Sequence, residues 1–166
     1  MSRAPILKAG SGLGFAMTDL SDQIIRIHGI KGARSACRVM AKQPFILLSP
    51  ENAALTHGAQ WFGDLVKLVR AEFPTVAFRT IFDCRGRLSG ALAAIEIGFD
   101  GEIIDPLPPT RHDQKDRLSD LCCQSGCVIY DDLSALAEIF EMADHMLPDT
   151  ELDRRLQIHL ASLGKA

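Results

Sequence analysis

The segment Asp83-Cys84-Arg85-Gly86-Arg87-Leu88-Ser89-Gly90 concentrates chemistry in eight residues: a carboxylate, a thiol, two guanidinium groups and a hydroxyl, punctuated by two glycines. Such a turn suits an anion. Gly86 and Gly90 let the backbone approach closely, and a helix starting near Ser89 offers free N–H groups. Arg85 or Arg87 can then grip a phosphate or carboxylate with two donors. The spacing is neither the GxxxxGK[ST] of a nucleotide P-loop nor the GxGxxG of a dinucleotide fold, so neither kind of cofactor is expected. The plainer alternative is a strand-to-helix corner, where aspartates cap helices and arginines face solvent whatever the function.

Cys84 sits between a predicted strand and this turn, beside both arginines, in surroundings that lower a thiol's pKa and favour the thiolate. A nucleophile also needs a base, and His28 or His57 would have to approach through the fold, since neither is near in sequence. An ordinary strand-end cysteine is the alternative. Further on, "LCCQSGC" supplies Cys122, Cys123 and Cys127. Neighbours on a helix point about 100° apart, so Cys122 and Cys123 do not readily share a metal. Cys123 and Cys127 are better spaced, but Gly126 interrupts the helix between them. A zinc site would still need ligands from His112, Cys84 or Cys37. Packed, reduced thiols are expected, with no metal and no cofactor.

The elements that must position these groups alternate along the chain. "PFILLSP" (residues 44–50) is a continuous apolar run, as in a buried parallel strand. Phe62, Leu65, Val66, Val69 and Phe73 recur at helical spacing before Pro74. "VAFRTIFD" reads as a strand and "SGALAAIEIG" as a helix with Leu88, Ala91, Leu92 and Ile95 on one face, capped by Gly98. "GEIIDP" is the next strand. Thr110 and Asp113 resemble a capping box opening a polar helix. "CVIY" is a strand, residues 131–144 read as a helix, and a last helix from near Thr150 buries Leu152, Leu156, Leu160 and Leu163. "QIIRIHG" and "ARSACRVMAK" are a candidate strand and helix ahead of these, whereas "GSGLG" (residues 10–14) follows no strand and reads as part of an arm.

This alternation predicts one three-layer α/β domain over residues 1–166: a mostly parallel sheet of four or five strands with helices on both faces, and residues 1–22 as a candidate arm. Ligands of such sheets bind beyond the carboxyl ends of the strands. There the sequence places Ser49, Glu51 and Asn52, the 83–90 turn, Asp105, and Asp131 with Asp132. The candidate anion site is therefore Arg85, Gly86, Arg87, Ser89 and Gly90, ringed by the acids Asp83, Asp105 and Asp131.

"AAIEIGFDGEIIDP" (residues 93–106) resembles the closing part of a receiver domain of two-component signalling, and similar segments occur in half units of (β/α)8 barrels. The receiver resemblance reaches back to Phe45 and implies a doubly wound, flavodoxin-like fold. It also marks departures. Ser49 stands where a receiver carries its phosphoaccepting aspartate, and Asp105 stands before Pro106 where a receiver has lysine. No acidic pair follows "IIRIHGIKG" to hold magnesium. Phosphotransfer is not expected, and the resemblance implies a regulatory, phosphorylation-independent relative.

A net charge of −3 lacks the basic footprint of a nucleic-acid binder. No apolar run is long enough to cross a membrane, and the first twenty residues lack the apolar block of a signal peptide, so a cytoplasmic protein is expected. No catalytic constellation is complete in the sequence, which leans the reading away from an enzyme. The expected function is a non-catalytic regulatory or protein-binding domain with a protein partner or self-association. The alternative is a small enzyme or binder of an anionic, phosphate- or carboxylate-bearing metabolite.

Overall fold

The computed structural model describes residues 20–107, 111–133 and 137–164. Its elements are β1 (Gln23–Arg26), α1 (Ile30–Val39), β2 (Phe45–Leu48), α2 (Ala53–Thr56), α3 (Ala59–Glu72) and β3 (Phe78–Asp83). They continue as α4 (Leu88–Ile97), β4 (Gly101–Ile103), α5 (His112–Ser125), β5 (Val128–Tyr130), β6 (Ile139–Glu141) and α6 (Asp149–Ser162). All strand pairings are parallel, in the order β5-β4-β3-β2-β1-β6. The α/β class and the parallel sheet are those that the alternation predicts, with six strands in place of four or five.

The additional strand lies where the sequence predicts a helix, over residues 131–144. Ile139–Glu141 instead pairs with Ile24–Arg26. Alternation explains the choice: Ile139 packs with the Ile24 face of the sheet and Phe140 with the opposite one, so both apolar side chains are used. The partner strand comes from the far end of the chain, and helical periodicity carries no sign of it.

Successive strand residues feed two cores. Ile25, Phe45, Leu47 and Phe82 face one side, where Cys37 of α1, Phe62 of α3, Ala91 of α4, Leu118 of α5 and Leu156 of α6 cover them. Ile24, Ile46, Leu48, Ile81, Ile103 and Tyr130 face the other, packing on one another and on Leu133 from the segment after β5. The architecture is the layered α/β arrangement expected, and among the described residues the helices in the core all pack on the first of these faces. Every step from β1 to β5 advances the same way across the sheet, and crossovers of one hand carry the intervening helices to one face.

Most of the local signals hold. Gly98 closes α4 at φ +88°, its N–H bonded to the carbonyls of Ala94 and Ile95. Phe62, Leu65, Val66 and Val69 are the buried face of α3. Leu152, Leu156 and Leu160 are buried on α6, but Leu163 falls past the helix end and is exposed. On α4 the buried positions are Ala91 and Ala94, and Leu92 faces outward. The Thr110 cap, the 10–14 glycines and most of the 1–22 arm lie outside the described residues.

A long-range cap ties the two ends of the fold together. Gly29, at the N-cap of α1, has no side chain to satisfy the first N–H groups. Asp144, just after β6, does so instead: its carboxylate accepts the N–H of His28 at 2.7 Å and of Gly32 at 3.0 Å. A Cβ on Gly32 would lie 2.6 Å from that carboxylate, so the close approach requires glycine. α6 then packs along α1, where Asp153 accepts from Arg38 at 2.8 and 2.9 Å and from the Ser35 hydroxyl.

Candidate functional site

Parallel strands bring all their carboxyl ends to one edge of the sheet, and a cleft of about 640 Å³ opens there. Arg26 reaches it from the end of β1, Glu51 from the loop after β2 and Arg85 from the turn after β3. Asp105 and Pro106 follow β4, Asp131 and Asp132 follow β5, and residues 137–139 close the side. To pair parallel with β1, the chain after β5 must return from this edge to the opposite one, and Ala137 and Glu138, just before β6, line the cleft.

Two arginines from different strands converge on one carboxylate oxygen. Arg26 Nη1 lies 3.1 Å from Glu51 Oε1, and Arg85 Nη2 lies 3.8 Å from the same atom. The arginine side chains are mostly enclosed, at 11% and 28% exposure, while Glu51 is 56% exposed. Arg26 also approaches Glu141 at 3.9 Å, and its Nε is buried without an acceptor among the described residues.

Beneath them Asp83 is fully buried. Arg85 Nε sits 3.0 Å from its carboxylate as an ion pair, and the backbone N–H groups of Asn52 and Arg85 also face it. Burial raises the Asp83 pKa above the ordinary carboxylate range, outweighing the pull of Arg85 and Arg26. The Asp83 N–H is fixed by the buried Ser49 hydroxyl at 2.9 Å. On the far wall Lys115 bridges Asp105 at 3.0 Å and Asp131 at 2.7 Å, and its ammonium holds Asp131 below the usual carboxylate range.

The 83–90 turn divides between roles. Arg85 lines the cleft. Gly86, at φ +71°, donates its N–H to Ile104 O at 2.9 Å, and a Cβ there would meet the Pro106 carbonyl at 3.1 Å, so the turn sits tightly on the end of β4. Arg87 is the exposed N-cap residue of α4 and Ser89 is exposed in its first turn; neither lines the cleft. Gly90 faces Ala54 of α2, where its missing Cβ allows the two helices to touch. Of the rim acids, Asp105 and Asp131 line the cleft and Asp83 lies under it.

Of the two readings of Cys84, the structure agrees with the ordinary strand-end cysteine and not with the activated thiolate. Cys84 is buried on the helix-covered side of the sheet, and burial, followed by the Glu102 and Asp83 carboxylates, raises its pKa. The candidate bases are engaged elsewhere: His28 pairs with Glu141 at 2.7 Å, and His57 with the Thr56 hydroxyl at 2.7 Å. Arg26 and Glu138 are the charged cleft residues that sequence reasoning missed, Glu138 because its segment reads as a helix and Arg26 because it closes β1. The one local signal for Arg26 is a cation closing the short strand "QII".

Fold and site define a parallel α/β protein with a charged cleft at the carboxyl edge of its sheet. No protein-family model matches the chain, and no curated protein matches it. No described helix is long and apolar enough to cross a membrane.

Proposed function

We propose that this chain binds a small anionic metabolite in the carboxyl-edge cleft, with Arg26 and Arg85 gripping its phosphate or carboxylate group. The observation that carries the reading is the convergence of both guanidinium groups on Glu51 Oε1. An exposed carboxylate held between two enclosed arginines marks where a ligand's own anionic group can sit, with Glu51 swinging out to solvent. Asp105, Asp131 and Asp132 would face hydroxyl or amino groups at the other end of the ligand. The sequential order of β1 to β5 supports a cleft of this kind, since it is the winding of a (β/α)-barrel wall, whose sites lie at the carboxyl edge. A flavodoxin-like sheet instead places its first strand between the second and third.

Thermal melting with inorganic phosphate, succinate and a sugar phosphate tests the proposal. At least one of these should raise the melting temperature. A charge-assisted guanidinium contact is worth about 1.5–3 kcal/mol, so Arg26→Ala or Arg85→Ala should weaken that probe about 10- to 150-fold. Glu51→Gln, which removes the competing charge, should tighten it. A melting temperature unmoved by every probe, or moved equally in Arg26→Ala, overturns the proposal.

A second reading rests on a different surface. Leu88, Leu92, Leu118 and Leu121 line an apolar groove between α4 and α5, with Leu92 and Leu121 exposed. This supports a regulatory domain that self-associates through its α4–α5 face, and it is compatible with ligand binding in the cleft.

A further inference from the structure

On the helix-covered side of the sheet, away from the cleft, adjacent elements gather three metal-binding side chains, Glu102, Cys122 and Cys127, with a fourth, Cys84, beside Glu102. Cys84 follows β3, Glu102 is the central residue of β4, Cys122 lies on the last turn of α5 and Cys127 precedes β5. All four are buried. The ligand atoms of Glu102, Cys122 and Cys127 lie within 4.8 Å of one another. Cys122 Sγ is 3.4 Å from Glu102 Oε1, and Cys84 Sγ is 4.0 Å from Glu102 Oε2. A tetrahedral zinc ion with bonds of about 2.3 Å to sulfur and 2.0–2.2 Å to oxygen sets its ligands about 3.5–3.8 Å apart. The two sulfur–oxygen separations bracket that spacing, so Glu102, Cys122 and Cys127 need only small side-chain shifts to close on an ion, and Cys84 a larger one to complete the set.

We propose that Cys84, Glu102, Cys122 and Cys127 form a closed structural site for one Zn²⁺ ion, clamping α5 to β3, β4 and β5. The second observation is Glu102 itself. It is a fully buried carboxylate, and its described side-chain partners are thiols, which are weak donors. No ion pair joins it to a cation among the described residues, whereas buried carboxylates are ordinarily paired or bound to a metal. Sulfur-rich donors with one carboxylate suit a borderline-soft divalent ion over magnesium or calcium. The site is sealed, so the metal enters as the chain folds. The thiol protons leave for solvent as the sulfurs bind, and affinity therefore rises with pH. Sequence spacing pointed to Cys123 with Cys127; in the fold Cys123 is exposed and Cys122 is the inward neighbour.

The test is metal analysis of the full chain, isolated under reducing conditions from zinc-supplemented culture, with Co²⁺ as the spectroscopic probe on refolding. About one zinc per chain is expected. Cobalt should give thiolate-to-metal charge transfer together with the visible bands of a tetrahedral centre. Cys122→Ser and Cys127→Ser should lose the charge-transfer intensity and most of the zinc, and Cys123→Ser and Cys37→Ser should keep both. Metal-free wild-type protein with no cobalt spectrum overturns the proposal, as does a Cys122–Cys127 disulfide in protein that holds no metal. Full zinc content in Cys122→Ser also overturns it. The wild-type measurements decide the matter even if a variant fails to fold.

Discussion

Asp144→Ala should be among the most damaging single changes outside the apolar core. Asp144 is 7% exposed, and its two oxygens satisfy two backbone donors, the N–H groups of His28 and Gly32, at 2.7 and 3.0 Å. Its charge also lies at the positive end of α1, whose own N-cap residue is glycine. A hydrogen bond to a charged group contributes about 1.5–3 kcal/mol, and loss of a helix cap costs about 0.5–2 kcal/mol. Water entering the vacated space would satisfy part of the demand, so a net loss of about 2–4 kcal/mol is expected. For a domain of this size that lowers Tm by about 5–15 °C. Urea unfolding followed by circular dichroism measures the first quantity, and hydrogen exchange at the His28 and Gly32 amides localises it. Asp144→Asn, which keeps one acceptor, should fall between the two. If Asp144→Ala lies within about 0.5 kcal/mol of wild type, the idea that a distant carboxylate caps α1 is wrong.

Two further outcomes follow from other parts of the molecule. Because burial raises the Asp83 pKa, the unfolded chain releases this proton first as pH rises, and the native state loses relative stability until Asp83 itself ionises. Asp83→Asn should therefore be more stable than wild type at neutral pH, and the two unfolding curves should converge below about pH 4; an equal gap at both pH values refutes this. For the α4–α5 groove, sedimentation should show wild-type chains associating and Leu92→Glu with Leu121→Glu abolishing it, whereas a monomeric wild type at high concentration removes the self-association reading.

The sequence by itself determined the α/β class, β2 to β5 and most of the helices. Buried apolar runs and helical repeats are local, and they are readable wherever burial of a single face dominates, as in "FILL" or the Phe62–Val69 stripe of α3. It also placed Arg85, Asp105 and Asp131 at one edge of the sheet, because parallel winding sends every strand end the same way. What only the tertiary structure decided is which distant groups meet. Arg26 joins Arg85 over Glu51 through the pairing of β1 with β2 and of β2 with β3. Asp144 reaches α1 because β6 forms beside β1, and β6 forms only where Ile139 and Phe140 can each fill a different core. Cys122 rather than Cys123 meets Glu102 because the rotation of α5 on the sheet is set by burial of Leu118 and Cys122 together. These choices are made by contacts between residues far apart in the chain, whose free energy no local pattern records.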